Sequence, residues 1–138
     1  MRLLRLNDMT YKELLDSEIL KEVLENPNGL ICIDINDIKD LFQQGGEIHA
    51  IDVSVNACEE HRMERLVNRV KEEANRLGAD SRVLVYFFFP EKCPLMMEEL
   101  RPLSDWIDSV SGEFIIKWGM ATHSTSSIRA IVALGYGI

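Results

Sequence analysis

Residues 83–89 constrain the fold of this chain more than any other stretch, because all of them are apolar or aromatic: Val, Leu, Val, Tyr, Phe, Phe and Phe. A run of this length without polar alternation is typical of a strand that is buried on both faces. We therefore predict a central strand at this position.

Amphipathic helices are predicted before and after that strand. Residues 58–77 carry charged side chains around an apolar stripe at helical spacing, made of Met63, Leu66, Val67, Val70, Ala74 and Leu77. Residues 95–110 repeat apolar side chains at intervals of four and three. Pro102 falls inside this second pattern, so we expect a kink there or a restart of the helix before Ser104.

Apolar or alternating patterns predict three more strands, at residues 47–55, 114–121 and 128–136. The first of them has Asp52 as an unexplained polar member. The polar link at residues 122–127 is short, which favours an antiparallel hairpin between the last two strands. The order is then β-α-β-α-β-β, with right-handed crossovers between parallel strands. We predict an α+β fold with a mixed four-stranded sheet packed with helices.

The region before these elements is predicted to be helical. Residues 1–6 fit either a short strand or a frayed lead, and the sequence leaves both open. Thr10 and Glu13 have the spacing of a capping box, which marks the start of a helix. A further cap at Ser17 leaves two alternatives, one bent helix or two short ones. The Pro-Asn-Gly turn at residues 27–29 ends this region.

A short helix with an acidic entrance is predicted next. The apolar residues 30–33 lead to Asp34, after which Asp34, Asp37 and Asp40 recur at every third position. Apolar residues keep helical spacing between them: Ile35, Ile38, Leu41 and Phe42. Asp34 suits the N-cap position, and Asp37 in the first turn complements the positive end of the helix dipole. The pattern by itself predicts a well-capped amphipathic surface helix.

Charge and composition narrow the classes of partner. With 138 residues, 46% of them hydrophobic, the chain is long enough for one domain with its own core. A formal net charge of −8 argues against nucleic acid and anionic membranes as partners. No apolar run approaches the roughly 20 residues that a membrane-spanning helix needs. Three cysteines without close pairing fit reduced thiols, so we expect a cytoplasmic protein.

No motif in the sequence supplies a complete active site. Cys58 and His61 lie within reach of one another on a predicted helix, but no further ligand follows at a known metal spacing. Cys93 lies beside Lys92, and no motif connects a histidine to it. The sequence also has no glycine-rich phosphate loop before a helix. We therefore expect no metal, no cofactor and no enzymatic activity of the chain on its own.

Residues 29–38, Gly-Leu-Ile-Cys-Ile-Asp-Ile-Asn-Asp-Ile, resemble a segment of the FtsZ family in the FtsZ/tubulin superfamily. In FtsZ this segment follows the long central helix and reads Gly-Leu-Ile-Asn-Val-Asp-Phe-Ala-Asp-Val. Three further segments are similar to the central strand, the following helix and the closing strand of the second, C-terminal domain of FtsZ. They are residues 81–85, 97–110 and 128–138.

The resemblance implies a domain organisation. We expect one domain over residues 1–138, made of an N-terminal helical lead (1–28) and a part like the second domain of FtsZ (29–138). The order of elements agrees with the family from about Leu14 to the last residue. The GTP-binding domain of the family has no counterpart, since Gly-Gly-Gly-Thr-Gly-Thr-Gly occurs nowhere in the sequence.

The resemblance also implies a role for the acidic entrance. In FtsZ the corresponding loop enters the GTP site of the next subunit in a filament, where two acids help to polarise the attacking water. Asp34 and Asp37 take these positions, with a catalytic role limited to completing a neighbour's site. Cys32 stands where the family has asparagine, which removes an amide donor and acceptor. The implied interaction surface is Cys32, Asp34, Asn36, Asp37 and Asp40.

These implications favour a non-catalytic interaction module related to bacterial cell-division filaments, which binds an FtsZ-type filament subunit or a second copy of itself. Two alternatives stay open. The FtsZ-type scaffold can be reused as a small-molecule-binding or homo-oligomeric protein, with Asp52, His49 and His123 as the candidate site. The chain can also be a piece of a longer protein with an upstream GTP-binding domain.

Overall fold

A computed structural model describes residues 2–6, 8–25, 29–43, 45–77, 82–109, 115–123 and 126–136. Its elements are β1 (Arg2–Arg5), α1 (Tyr11–Leu15), α2 (Glu18–Leu24), β2 (Gly29–Ile31), α3 (Ile35–Phe42), β3 (Glu47–Asn56), α4 (Arg62–Leu77), β4 (Arg82–Pro90), a 3-10 turn (Met97–Leu100), α5 (Arg101–Ser109), β5 (Ile115–His123) and β6 (Ser127–Tyr136). Parts of the predicted elements lie outside the described residues: Pro27, Asn28, Gly78, Ser81, Val110, Phe114, Gly137 and Ile138.

The most apolar run of the sequence forms the centre of the sheet. β4 lies between β6 and β5 in the strand order β1-β3-β6-β4-β5-β2, and all of its residues are buried. β4 pairs in parallel with β5, to which α5 connects it, and antiparallel with β6. The predicted α+β class, the mixed sheet and the doubly buried central strand are therefore confirmed.

The sheet has six strands in the described residues instead of the predicted four, because two short strands are added at its edges. β1 pairs with β3, which decides the alternative left open for residues 1–6 in favour of a strand. β2, predicted only as an apolar lead to the acidic helix, pairs with the end of β5. Strands of four and three residues are too short for their alternation to be visible in the sequence.

The predicted hairpin between the last two strands is wrong. β5 and β6 are not neighbours, because β4 lies between them. β6 instead pairs antiparallel with both β3 and β4, and its ladder with β3 runs from Ser127 to Tyr136. The two outer strands of such a trio are about 10 Å apart, a gap that a few extended residues bridge. A short link is therefore compatible with both arrangements.

Two hydrophobic clusters lie on opposite faces of the sheet. On one face α4 and α5 pack on odd-numbered residues of β3 and β4, such as Val53 and Phe87. On the other face α1, α2 and α3 pack on even-numbered residues of the same strands, such as Ile48 and Tyr86. Because alternate side chains of a strand point to opposite faces, sequence position assigns each polar strand residue to one of these two layers.

The helix predicted from Cys58 begins later, at Arg62. The Oδ1 atom of Asn56 accepts a hydrogen bond from the backbone N–H of Cys58 at 2.9 Å, as in an Asx turn. His61 then adopts a left-handed φ of 56°, which is incompatible with a continuous right-handed helix. The residues before Arg62 therefore form a turned loop.

The helix predicted at residues 95–110 is divided differently from the prediction. A 3-10 turn comes first, and α5 starts at Arg101. Pro102 lies in the first turn of α5, where its missing N–H removes no intrahelical hydrogen bond. The restart therefore precedes the proline instead of following it. No helix in the described part of the chain is long and apolar enough to cross a membrane.

The predicted capping box at the first helix is confirmed. The backbone N–H of Glu13 donates to Thr10 Oγ1 at 3.3 Å, and the backbone N–H of Thr10 donates to Glu13 Oε1 at 3.1 Å. Ser17 caps a separate helix by accepting from the N–H of Leu20. The N-terminal region therefore contains two short helices, one of the two alternatives that the sequence left open.

Gly119 on β5 leaves no room for a side chain. A Cβ atom there would lie 2.6 Å from the carbonyl oxygen of Ile31 and 2.6 Å from Cε1 of Tyr86. The Ile31 oxygen belongs to the backbone of β2, and the Tyr86 ring is fully buried, so neither can easily move aside. We expect Gly119→Ala to lower the free energy of unfolding by about 1–3 kcal/mol, measured by equilibrium urea denaturation. A loss below about 0.5 kcal/mol would show that β2 separates from β5 at little cost.

Candidate functional site

The entrance of α3 is held by a reciprocal hydrogen-bond pattern between two carboxylates. Asp34 Oδ1 accepts from the backbone N–H of Asn36 at 2.8 Å and from that of Asp37 at 3.2 Å. Asp37 Oδ2 accepts from the N–H of Asp34 at 3.0 Å. The buried side chain of Ile33 anchors the approach to this turn. The predicted N-cap is confirmed, and it forms a complete capping box.

The predicted interaction residues lie together on the outer side of this turn, and we call them the acidic face: Cys32, Asp34, Asn36, Asp37 and Asp40. All are exposed except Asp37, which is half-buried. Asp37 and Asp40 share a cation, because Lys117 Nζ lies 3.6 Å from Asp37 Oδ1 and 3.8 Å from Asp40 Oδ2. Lys117 thus fixes one side of the acidic face to β5.

Lys117 was not among the residues predicted for the site. It is the one charged residue in the apolar part of β5, from Ile115 to Ala121, and that isolation is the signal that sequence reasoning could have used. Its partner carboxylates are far away in sequence, so only the pairing of β5 with β4 and the packing of α3 on that face bring them together.

Two exposed isoleucines border the acidic face. Ile31 on β2 is 38% exposed, and Ile35 in the first turn of α3 is 39% exposed. Exposed apolar side chains beside fixed charges are a common composition of protein-binding surfaces. The carboxylates can accept hydrogen bonds from a basic partner while the isoleucines exclude water around them. In the described residues no three His, Cys, Asp or Glu side chains are placed to hold a metal ion.

The alternative candidate site is divided between the two faces of the sheet. Asp52 and His123 border one cavity of about 480 Å³, on the face that carries α1 to α3. His49 does not join them, because it lies on the opposite face of β3. There its Nδ1 is 2.7 Å from Asp8 Oδ1, and its Nε2 is 3.7 Å from Glu73 Oε2. The prediction that these three residues form one site is therefore wrong, and the reason is the alternation of β3.

An arginine missed by sequence reasoning explains the polar residue of β3. Arg129 on β6 lies 2.9 Å from Asp52 and 3.1 Å from Glu22 through its Nη2 atom, and its guanidinium stacks over the Phe88 ring at 5.5 Å. Burial works against the charged form, but these two carboxylates outweigh it and raise the pKa of Arg129. The pKa of His123 is lowered by burial and by Arg129, so its imidazole is neutral at neutral pH.

Substitutions at Asp34 separate its capping role from its charge. Asp34→Ala removes the acceptor for two N–H groups, and we expect a loss of about 1 kcal/mol in the free energy of unfolding. Asp34→Asn keeps an oxygen in place and should cost only a few tenths of a kcal/mol. Urea denaturation of both variants tests this. Equal losses would contradict a capping role for the side chain.

The mixed sheet with helices on both faces is an α+β fold of the kind seen in the FtsZ C-terminal domain. Among solved structures, the chain is similar to the empty FtsZ dimer of M. jannaschii, with a TM-score of 0.65 and 20% identity over 85% of this chain and 34% of that one. The W319Y mutant of the same FtsZ matches with a TM-score of 0.58 and 18% identity, over 85% of this chain and 36% of the FtsZ chain. The GTPγS-bound protofilament of CetZ2 from Haloferax volcanii matches with a TM-score of 0.52 and 15% identity, over 75% of this chain and 33% of the CetZ2 chain.

These similarities concern the fold. The chain spans about a third of the length of the FtsZ and CetZ structures that it matches. No protein-family model matches the sequence, and no curated protein does. At identities of 15–20%, the shared feature is the arrangement of the strands and helices.

Proposed function

We propose that the chain is a non-catalytic interaction module that binds an FtsZ-type filament subunit, or a second copy of itself, through the acidic face. The observation that carries the proposal is the exposure of this face on an FtsZ-like fold, at the entrance of a helix whose cap is complete. A cytoplasmic role connected with cell-division filaments is part of the proposal.

Two of the similar structures support an assembly role. One is a dimer of FtsZ, and another is a protofilament of CetZ2. The capping hydrogen bonds and Lys117 hold the carboxylates of Asp34 and Asp37 in fixed positions. A partner therefore meets an ordered set of acceptors, which reduces the entropy lost on binding. The negative charge of the face selects a partner surface that carries basic groups.

The proposal gives the chain no catalytic activity of its own. Asp34 and Asp37 each use a carboxylate oxygen to cap the backbone of α3, and the sequence contains no glycine-rich loop that would hold a phosphate. Their catalytic contribution is limited to orienting a water molecule in the GTP site of a bound neighbour.

Co-sedimentation with GTP-assembled FtsZ of M. jannaschii tests the proposal. We expect the wild-type chain to pellet with the filaments and to dissociate as salt is raised, because the contact is electrostatic. The triple variant Asp34→Asn, Asp37→Asn and Asp40→Asn should bind roughly tenfold more weakly, a change of about 1.4 kcal/mol. Asparagine keeps the capping oxygen at Asp34, so a loss of binding does not reflect a lost helix cap.

Asp108→Asn is the matched control, since Asp108 is an exposed acid on α5, on the other face of the sheet. It should bind like the wild type. Sedimentation velocity of the chain alone tests self-association, and phosphate release by the filaments reports any contribution to GTP hydrolysis. A chain that neither pellets with filaments nor self-associates would refute the proposed function.

A second candidate function is small-molecule binding in the cavity of about 480 Å³ beside Asp52 and His123. The observation in its favour is the mixture of two guanidinium groups, two carboxylates, an imidazole and an aromatic ring at one opening, since a few convergent polar groups in a concavity are typical of ligand sites. Native mass spectrometry of the purified protein tests it. A bound small molecule that is lost in Arg129→Leu supports this function, and a ligand-free mass contradicts it.

A further inference from the structure

Two cysteines from different loops border the same cavity. Cys58 follows β3 and Cys93 follows β4, and both line a cavity of about 520 Å³ together with Lys92 and His123. Cys58 is exposed and Cys93 is half-buried, and both are free thiols. The two residues are far apart in sequence, so no spacing pattern connects them. The fold brings them to one place.

Arg62 holds the two loops against each other. Its Nη1 donates to the carbonyl oxygens of Ala57 at 2.9 Å and Cys93 at 3.2 Å, and its Nη2 donates to that of Pro94 at 3.0 Å. The two oxygens that share Nη1 therefore lie within about 6 Å of one another, and one of them immediately precedes Cys58. A disulfide spans roughly 4.4–6.8 Å between Cα atoms. The two loops are therefore held close together, which a disulfide between Cys58 and Cys93 requires.

Cationic side chains lie near the two thiols. The reactive form in thiol–disulfide exchange is the thiolate. The guanidinium of Arg62 lies close enough to both thiols that they add to its raised pKa, after the larger effect of Glu99. Lys92 supplies a second cation beside Cys93. The imidazole of His123 also lines this cavity, and burial lowers its pKa.

We propose that Cys58 and Cys93 form a dithiol site that low-molecular-weight disulfides, such as glutathione disulfide, oxidise to an intramolecular disulfide. The Cys58 thiolate attacks one sulfur of glutathione disulfide, which forms a mixed disulfide and releases one glutathione thiolate. The Cys93 thiolate then attacks the Cys58 sulfur, forms the internal bond and releases the second glutathione. Both protons end on the released glutathiones, so two protein thiols are oxidised as one glutathione disulfide is reduced.

The third cysteine is a built-in control. Cys32 is also an exposed free thiol, but it lies between β2 and α3 and does not border this cavity. After incubation with glutathione disulfide, we expect Cys58 and Cys93 to be lost as titratable thiols without carrying a glutathione adduct, whereas Cys32 either stays free or carries one glutathione. Peptide mapping should show Cys58 linked to Cys93, and the melting temperature should rise, because a closed loop restricts the unfolded chain.

Serine variants make the test decisive, since serine is close to cysteine in size and Cys58 is exposed. Cys32→Ser should keep the internal link. Cys93→Ser should stop at the mixed disulfide on Cys58, and Cys58→Ser should show neither the link nor the rise in melting temperature. Separate glutathione adducts on Cys58 and Cys93 in the wild type, a link that includes Cys32, or disulfides between two copies of the chain would each overturn the proposal.

Discussion

Arg62→Ala is expected to lower the free energy of unfolding by about 4 kcal/mol, because the change removes one member of a buried ion pair and leaves several acceptors without a donor. The guanidinium donates to Glu99 through Nε at 2.6 Å and through Nη2 at 2.8 Å. Its other hydrogen bonds go to three backbone carbonyl groups, those of Ala57, Cys93 and Pro94. Arg62 is 8% exposed, so little water is available to replace these bonds.

The loss should extend beyond Arg62 itself. Glu99 also accepts from the backbone N–H of Met96 at 2.9 Å, and its pKa is lowered first by the hydrogen bond from Arg62. Without the guanidinium, that carboxylate keeps its charge in a mostly buried position with one remaining donor. We therefore expect the 3-10 turn and the start of α5 to loosen together with the loop that follows β3.

Two further variants define the role of the guanidinium. Arg62→Lys keeps the charge but replaces five N–H groups in a planar fork by three on a point charge, so it should recover only part of the loss. Arg65→Ala on the same helix is the control, because Arg65 is exposed and its ion pair with Glu59 is 3.6 Å long; it should change stability by less than about 0.5 kcal/mol. Equilibrium urea denaturation measures all three. Equal stability of Arg62→Ala and Arg65→Ala would contradict the structure.

Acidification is expected to remove about 3 kcal/mol of stability through one carboxylate, Glu73. Its side chain is 1% exposed. It accepts from Arg5 at 2.8 and 3.2 Å and from Arg76 at 3.1 and 3.4 Å. Burial alone would raise the pKa of Glu73, but these hydrogen bonds and charges outweigh it and lower the pKa from 4.5 to about 2.

The direction of the effect follows from that shift. In the unfolded chain the carboxyl group binds a proton at a higher pH than in the folded protein, so protonation favours unfolding. The stabilisation is complete above the unfolded pKa of 4.5 and is lost as the pH falls from there towards 2. Asp8 contributes in the same direction, since hydrogen bonds from Tyr136 and then His49 lower its pKa.

Urea denaturation at several pH values between 7 and 2 tests this prediction. Glu73→Gln should be less stable than the wild type at pH 7 and should show a flatter decline below pH 5, because its amide does not titrate in this range. Glu72→Gln is the matched control on the same helix, where Glu72 is an exposed acid paired only with Arg69 among the described residues. A wild type and a Glu73→Gln variant with parallel pH profiles would refute the assigned role.

Features set by local spacing were predictable from the sequence. The capping box at Thr10 and the N-cap at Asp34 each depend on residues no more than three positions apart, and both predictions are confirmed. The buried strand β4 was predictable because a strand covered on both faces is apolar at every position, so its sequence is a continuous hydrophobic run. In each case the decisive signal lies within a few consecutive residues of the chain.

Features set by strand order were not predictable. Asp52 gave no indication of a partner, because Arg129 reaches it only when β6 pairs with β3. Lys117 reaches the acidic face only when β5 lies beside β4. The grouping of His49 with Asp52 is a different case, because the two residues are three positions apart on one strand and alternation alone places them on opposite faces. Only the layer that each face packs against depended on the placement of the helices.

The position of β6 determines when the sheet can be completed during synthesis. Ser127–Tyr136 is the last strand in the chain order of the described residues, and it fills the space between β3 and β4. A ribosome that has made the chain only as far as β5 has released two halves of a sheet with open edges facing each other. β6 must therefore be made before the sheet can close, and a nascent chain stalled before β6 exposes two unpaired strand edges to chaperones or to other chains.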